Sequence, residues 1–516
     1  MSMPSAAAEV IVKRKDVMRV LLVDLNNFAH YPTLSVGYLA AICRKAEIQV
    51  EVFLPLMIGL KGFRREKPPK WWSFIFQVVN YRAATSSIMA IRQLRAWAAK
   101  REVSDLSKDA DKLLKGFCRR LEAVQPDIVL VSSYLMYRES TVRICLLCKA
   151  AGVPVLVGGP YFAQPEIAEE WANIEGATAL IGGEVEPELP AILEAAHNRR
   201  DLSSFAGVWS RTDNGRAKGT IRPPLRALND IPFPDYQDFP WERYPNRIVP
   251  IITGRGCGWG VCAFCSDVVS TAGRTFRSRS PQNVLDEISH HHRTYGVSLF
   301  VFTDLKLNSD LAVWHAIIDN MQKIAPGSRW VAAVHVDSLR SHRSSNGLSP
   351  DELRRAAASG CVRLSTGLES GSQRVLDTMT KGAKIDVTSQ YLKDAAEAGI
   401  SARCTMILGY PTETAQDVDE TVQFLEAHRG NIERISLGRF HIVQGTVLHR
   451  SVERKPEAFP GLSIIHEDPS RAWIEHSFVP AHFKDYRASV TRLLRVVHKI
   501  NRNPLKEVAR DFEGVM

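Results

Sequence analysis

What this 516-residue sequence lacks already narrows its class. No uninterrupted apolar run reaches the roughly 20 residues that span a bilayer, so no transmembrane segment is expected. Residues 1–16 carry small side chains and then Lys13-Arg14-Lys15 without the apolar core of a signal peptide; a disordered leader over 1–17 and a cytoplasmic location are expected. The net charge of +10 is not gathered into a lysine-rich tail or an arginine comb, so it reads as a solvated basic surface, with no nucleic-acid partner expected. Nine cysteines without secretion favour thiols and metal ligands over disulfides. What is there, 45% hydrophobic and 24% charged residues, suits two or three globular domains.

Three cysteines stand together in Gly254-Arg255-Gly256-Cys257-Gly258-Trp259-Gly260-Val261-Cys262-Ala263-Phe264-Cys265, directly after the apolar run 248–252. Three soft thiolates suit an iron–sulfur cluster or zinc. A structural zinc loop normally closes with four protein ligands, and no fourth cysteine is near, so one metal corner stands open to a substrate or cofactor. The other close pair, Cys145 and Cys148, lies far upstream in a helical pattern.

Short apolar runs at 18–24, 49–54, 126–133, 153–160 and 178–184 alternate with helical patterns. This predicts an α/β, doubly wound, Rossmann-like domain over 18–204, whose ligands sit beyond the strand carboxyl ends. Those ends are Ser132-Ser133, Gly158-Gly159 and Gly182-Gly183. A helical insertion over 57–122 is longer than a crossover needs. Its front sets Lys61, Arg64, Arg65, Lys67 and Lys70 beside Trp71 and Trp72, which could lie on a membrane surface or grip a substrate peptide. A helical cap packed by those tryptophans is the favoured expectation. Residues 205–221 read as a hairpin around Asp213-Asn214-Gly215, and the proline-rich 223–240 as an extended linker, so 205–245 joins two domains. From 248, six strands alternate with helices, predicting a full or partial β/α barrel over 246–440 with its chemistry at the carboxyl ends of strands. The cysteine loop follows the first barrel strand, and Asp304 ends the second. The extension 441–516 is expected to close the barrel mouth, with His449, His466, His476 and His482 as ordinary surface residues.

These motifs together resemble the radical S-adenosylmethionine (SAM) enzymes, in the branch with an amino-terminal cobalamin-binding domain. The resemblance spans about residues 18–450. It is carried by the cysteine loop with Phe264 before its last cysteine, Phe276-Arg277-Ser278-Arg279-Ser280-Pro281, Gly367-Leu368-Glu369-Ser370-Gly371-Ser372-Gln373 and Leu408-Gly409-Tyr410-Pro411-Thr412-Glu413-Thr414. Upstream, Gly158-Gly159-Pro160-Tyr161 and Gly182-Gly183-Glu184-Val185-Glu186 are similar to the cobalamin domain. Two departures stand out. Four residues separate Cys257 from Cys262 where the family has three, an addition that Gly258 and Gly260 can absorb as a bulge. The third strand leads into Ser133-Tyr134-Leu135-Met136-Tyr137-Arg138, with no Asp-x-His-x-x-Gly, so cobalamin would bind without a histidine lower ligand, as in many members of this branch.

The resemblance implies a partial (β/α)6 TIM-type barrel in which Cys257, Cys262 and Cys265 hold a [4Fe-4S] cluster whose fourth iron binds SAM. It places Phe264 at the cluster and Glu369 and Ser370 at a ribose or ammonium group, with a salt-bridged barrel carboxylate as the rival role for Glu369. Arg403 would meet the methionine carboxylate or form a surface ion pair, and Asp304 is a further strand-end candidate. Ser132, Ser133, Gly158, Gly159, Pro160, Gly182, Gly183 and Glu184 would meet cobalamin. The implied activity is methylation of an unactivated carbon in a small molecule or peptide, fed by an electron donor such as flavodoxin or ferredoxin. The alternatives are a cyclisation or rearrangement, a radical enzyme without cobalamin, and a zinc- or cluster-stabilised binding protein without catalysis.

Overall fold

The structure, a computed structural model, describes residues 17–62, 69–86, 88–100, 109–211, 217–267, 275–336, 346–468 and 471–515. The expected leader, Arg64, Arg65 and Lys67, and the turn at Asp213-Asn214-Gly215 lie outside the described residues.

The first sheet contains β1 (Arg19–Asp24), β2 (Gln49–Phe53), β3 (Ile128–Ser132), β4 (Val155–Gly158), β5 (Ala179–Ile181), β6 (Val208–Arg211) and β7 (Ala217–Gly219). Their spatial order is β2-β1-β3-β4-β5-β6-β7. The first five run parallel, and every residue of β3 is buried, which is why these strands read as unbroken apolar runs. The strand order reverses between β1 and β3, the switch point where doubly wound sheets bind ligands. Pairing of Asp24 with Ser132, and of Ser132 with Gly158, brings the three carboxyl ends into one row. The hairpin β6–β7 pairs antiparallel with β5 and so extends this sheet.

In the insertion, helix Ser73–Ala84 packs on helix Met89–Lys100 and on the carboxy-terminal helix Phe483–Asn501, while Ala110–Val124 buries Leu113, Leu114 and Phe117 beneath the sheet. The expectation that tryptophans pack this cap is corrected. Trp71 is 74% and Trp72 45% exposed, and Phe74 instead meets His498 at 5.9 Å between ring centroids.

The barrel begins with β8 (Ile248–Ile251), followed by the two-residue strands β9 (Gly254–Arg255) and β10 (Arg277–Ser278). It continues with β11 (Leu299–Phe302), β12 (Arg329–Val334), β13 (Cys361–Glu369), β14 (Ser401–Leu408) and β15 (Ile432–Arg439). Strands β8 and β11–β15 form one all-parallel sheet in the order β15-β14-β13-β12-β11-β8, the expected six-stranded open barrel. Local chemistry sets the helix starts: Ser280 accepts from the Asn283 amide with Pro281 next, and Ser349 and Thr414 each head a capping box.

Beyond the barrel, β16 (Ile442–Val443), β17 (Leu462–Asp468) and β18 (Trp473–Phe478) form an antiparallel sheet. This part of the extension reaches the cysteine loop, since the Leu448 amide donates to the Ala263 carbonyl at 2.9 Å. The chain end lies instead at the amino-terminal ends of the barrel strands. There the buried Arg363 guanidinium donates to the carbonyls of Phe512, Ala509 and Val515 at 2.6, 3.2 and 3.2 Å. His449, expected at the surface, is buried. Among the described residues no helix is long and apolar enough to cross a membrane.

Candidate active site

The cysteine loop leaves the barrel under tight control. Asp304, at the end of β11, accepts from the Thr253 amide and hydroxyl and the Gly254 amide at 3.0, 2.8 and 2.9 Å. Burial pushes its carboxyl up to about 6, with these bonds pulling the other way. Antiparallel pairing of β9 with β10 fixes the next step of the loop. Cys257, Cys262 and Cys265 follow, all half-buried. Burial pushes the Cys262 thiol up to about 11, against the pull of the nearby Lys381 ammonium.

A second loop, after helix Gln373–Thr378, covers the first. The Met379 carbonyl accepts from the Ala263 amide at 2.9 Å, and the Thr380 carbonyl from the Trp259 indole at 2.8 Å. The Trp259 ring lies so close to Gly382 that a Cβ there would sit 2.2 Å from it, and it stacks on His335 with centroids 6.3 Å apart. The longer cysteine loop thus spends its Trp259 on locking down the neighbouring loop. Between Trp259 and Gly382's neighbours, Lys381 donates to Glu369 at 2.8 Å and lies 5.9 Å over the Phe264 ring. Burial would lower its pKa, but the Glu369 carboxylate and the thiols outweigh burial and hold the ammonium charged. Glu369 sits at a register shift in β13 with φ +59°, a strained setting for a glutamate. Gly367 makes the pair possible, because a Cβ there would lie 2.3 Å from the Glu369 carboxylate and 2.5 Å from the Lys381 ammonium.

Ser370 turns the other way, toward helix Ala415–Ala427, meeting the Thr421 hydroxyl at 3.3 Å and accepting from the Ser372 amide at 3.1 Å. Arg403, near the start of β14, is 3.6 Å from Glu433, which also takes Arg363 at 3.1 Å; its ion pair is buried, not at the surface.

Between the two sheets lies a cavity of about 1720 Å³. Ser132, Gly158, Gly159, Pro160, Gly183 and Glu184 line it from the first sheet, and Gly254, Arg255, Asp304 and Arg403 from the barrel. Ser133 and Gly182 stand behind this wall. Ser133 bonds Thr141 at 3.0 Å, and a Cβ on Gly182 would fall 1.8 Å from the Phe162 carbonyl. The three cysteines, Phe264, Glu369 and Ser370 are not among its lining residues; the cavity meets the near side of their loop at Gly254, Gly256 and Asp267. Phe28, Tyr31, Tyr38 and Tyr134 supply aromatic walls, and no histidine is among the lining residues described. The volume exceeds the roughly 300–1,000 Å³ of ordinary small-ligand pockets.

Acid on one domain holds base on the other. Glu186 pairs with Arg255 at 2.7 Å, and Glu184 takes Arg277 at 2.5 Å and Arg255 at 3.6 Å. Tyr161, beyond β4, bonds the Ser266 side chain next to Cys265. Lys381, Arg255, Arg277 and Tyr161 were not singled out from the sequence. The acidic Gly182–Glu186 motif and the basic Phe276–Pro281 motif were both visible there, and only the fold pairs them.

The donor set is consistent with a cluster. Among the described residues, the ligand atoms of three residues that lie within 4.8 Å of one another are those of His449, Glu453 and Glu467; the three thiols are not such a group. Thiolates sharing one zinc at about 2.3 Å each would lie about 3.8 Å apart. A cluster spreads its ligands more widely and leaves one iron for a further group.

The sequence profile of the Radical SAM superfamily matches residues 251–425, from the last residue of β8 into the helix before β15. Over that third of its length the chain is similar to the radical SAM superfamily. An uncharacterized methyltransferase of Pyrococcus horikoshii is 28% identical to this chain over 327 residues, 61% of this chain and 66% of that one. An anaerobic magnesium-protoporphyrin IX monomethyl ester cyclase of Rubrivivax gelatinosus is 27% identical over 333 residues, 62% of this chain and 56% of that one. In both alignments the chain spans less than two thirds of its relative. The fold is shared with the radical SAM methyltransferase TsrM of Kitasatospora setae, solved with cobalamin and a [4Fe-4S] cluster: TM-score 0.66 over 93% of this chain and 91% of that one, at 14% identity.

Proposed function

We propose that this protein is a cobalamin-dependent radical SAM enzyme that methylates an unactivated carbon of a small molecule or peptide. The observation that carries the proposal is a cavity whose walls come from the switch point of the doubly wound sheet on one side and from the barrel strands and the loops after β8 and β11 on the other. Cys257, Cys262 and Cys265 would hold a [4Fe-4S] cluster, which when bound supplies one-electron cleavage of SAM. Lys381 and Glu369 fix the floor beside those thiols, Phe264 shields it, and Asp304 keeps the loop root in place. Toward cobalamin, which when bound supplies a methyl carrier, this chain offers aromatic walls and the bare backbone of Gly158 and Gly159, with Ser132 at the end of β3. The clamp of Glu184 and Glu186 on Arg255 and Arg277 ties the two halves together at the edge of the cavity. An external one-electron donor such as flavodoxin or ferredoxin completes the scheme. Cyclisation with the same parts is the second reading, favoured by the cyclase relative.

Anaerobic purification and reconstitution test this. The expected protein carries about four irons with sulfide, retains a corrin with its visible absorption bands, and forms 5′-deoxyadenosine on reduction. A substrate that gains a methyl group supports methylation, and one that changes bonding without that gain supports cyclisation. Zinc in place of iron with no cleavage of SAM would refute the enzyme assignment, and cleavage by corrin-free protein would remove cobalamin from it.

A further inference from the structure

Among the described residues seventeen large apolar side chains are exposed, and eight of them fall within 71–94: Trp71, Trp72, Ile75, Phe76, Val79, Ile88, Ile91 and Leu94. On helix Ser73–Ala84 the exposed positions Ile75, Phe76 and Val79 share one face, while Phe74 and Tyr81 turn inward, Phe74 against helix Phe483–Asn501. On the neighbouring helix Met89–Lys100, Ile91 and Leu94 continue the apolar surface that Ile88 begins. A concentration of this kind on a soluble fold marks an interaction surface.

Its charge selects the partner. Residues 69–100 contain Lys70, Arg82, Arg92, Arg95 and Lys100 and not one aspartate or glutamate. Lys70 and Arg82 are exposed, and Lys70 stands 5.6 Å over the Trp72 ring. A second copy of this face would set base against base, whereas an anionic bilayer offers both an apolar interior and opposite charge. Paired tryptophans with flanking lysine and arginine suit the depth of lipid headgroups. Lys70, Trp72 and Phe76 also line the large cavity, so this face adjoins it.

We infer that the helical pair at 73–100, with Trp71 and Trp72, docks this protein on the surface of an anionic membrane. It binds peripherally, helices lying in the headgroup plane. The anaerobically reconstituted protein is floated with vesicles of phosphatidylcholine alone and with vesicles carrying about one third phosphatidylglycerol. The expected result is flotation with the anionic vesicles, weakened by added salt. Joint replacement Trp71→Ser, Ile75→Ser and Leu94→Ser removes exposed side chains outside the cavity lining, and lowers vesicle affinity at least about 100-fold. Iron and corrin content, measured on the same samples, stay level, so failure here is separable from failure of the proposed enzyme activity. Wild-type protein that stays below both vesicle types, or a triple variant that floats equally well, overturns the inference. So does a wild-type dimer in sedimentation velocity that the triple variant dissolves while neither form floats, since the occupant would then be a second copy.

Discussion

The two walls of the cavity are made from opposite materials. On the barrel side, Asp304 and Arg403 line the cavity, and behind that wall positions are held by charged pairs: Lys381 on Glu369, and Arg403 and Arg363 on Glu433. On the sheet side, apart from the rim carboxylates Glu184 and Glu186, the wall at the ends of β3 and β4 is backbone, small hydroxyls and aromatic rings, with Gly159 packed so that a Cβ would fall 2.3 Å from the Ser133 carbonyl. Charged groups suit a compact, ionic ligand set, where each removed charge exposes another. Bare backbone suits a large, flat, mostly neutral ligand, where each added atom is a collision. The barrel should therefore fail when atoms are taken away, and the sheet when they are put in.

The strongest test of that contrast removes Cys257, Cys262 and Cys265 together as alanines. Iron and SAM cleavage are expected to vanish while the corrin stays, read by iron assay, 5′-deoxyadenosine formation and visible absorption; cleavage that persists would break the ligand assignment. The mirror-image test is Gly159→Val. Overpacking of this kind costs about 1–3 kcal/mol locally, and the protein is expected to lose corrin at full iron content. Loss of both together would mean that the two walls are not independent.

On the barrel side alone, the buried pair offers a partial version of the first test. Glu369→Gln leaves the Lys381 ammonium enclosed without its counter-charge, which for a pair this buried costs about 3–5 kcal/mol. Adding Lys381→Met should recover much of that in a thermal melt, because the isolated charge is then gone. A double variant no more stable than Glu369→Gln would show that the pair's geometry, and not charge burial, matters.

The strands of both domains were legible because parallel strands covered on two faces must be apolar throughout, as in β3 and β11. The cysteine loop was legible because three thiols at short spacing have few structural uses. Lys381 was not. It lies in an ordinary lysine-glycine stretch, and its closeness to Glu369 depends on a register shift in β13 that no local pattern encodes. Arg403 was open to misreading for the same reason, since its partner Glu433 comes from the adjacent strand past another register shift. Trp71 and Trp72 were read as packing residues because aromatic content reports that a ring will be covered, without saying by what.

The effect furthest from iron, corrin and activity concerns a carboxyl of the 408–414 motif that does not line the cavity. Glu413 is buried, accepts from the Gly409 amide at 2.8 Å, and takes the Tyr486 hydroxyl of helix Phe483–Asn501 at 2.5 Å. Burial pushes its pKa up from 4.5 to about 7, against the pull of those two bonds. A carboxyl raised in the folded state holds a proton there that the unfolded chain has released. Its contribution to stability is therefore full below about 4.5 and is lost as pH rises through about 7. At about 1.4 kcal/mol per unit, the span amounts to at most about 3.5 kcal/mol. Glu413→Gln keeps an acceptor for Tyr486 and cannot ionise, so the difference in melting temperature between wild type and variant isolates this group. Wild type should gain on the variant as pH falls from about 8 to about 5, and the gain should appear in the docking of helix Phe483–Asn501, leaving corrin and iron content untouched. A difference that stays flat across that range would show that Glu413 is ionised in its pocket, and that the polar side of the barrel extends further from the cysteine loop than its charged pairs suggest.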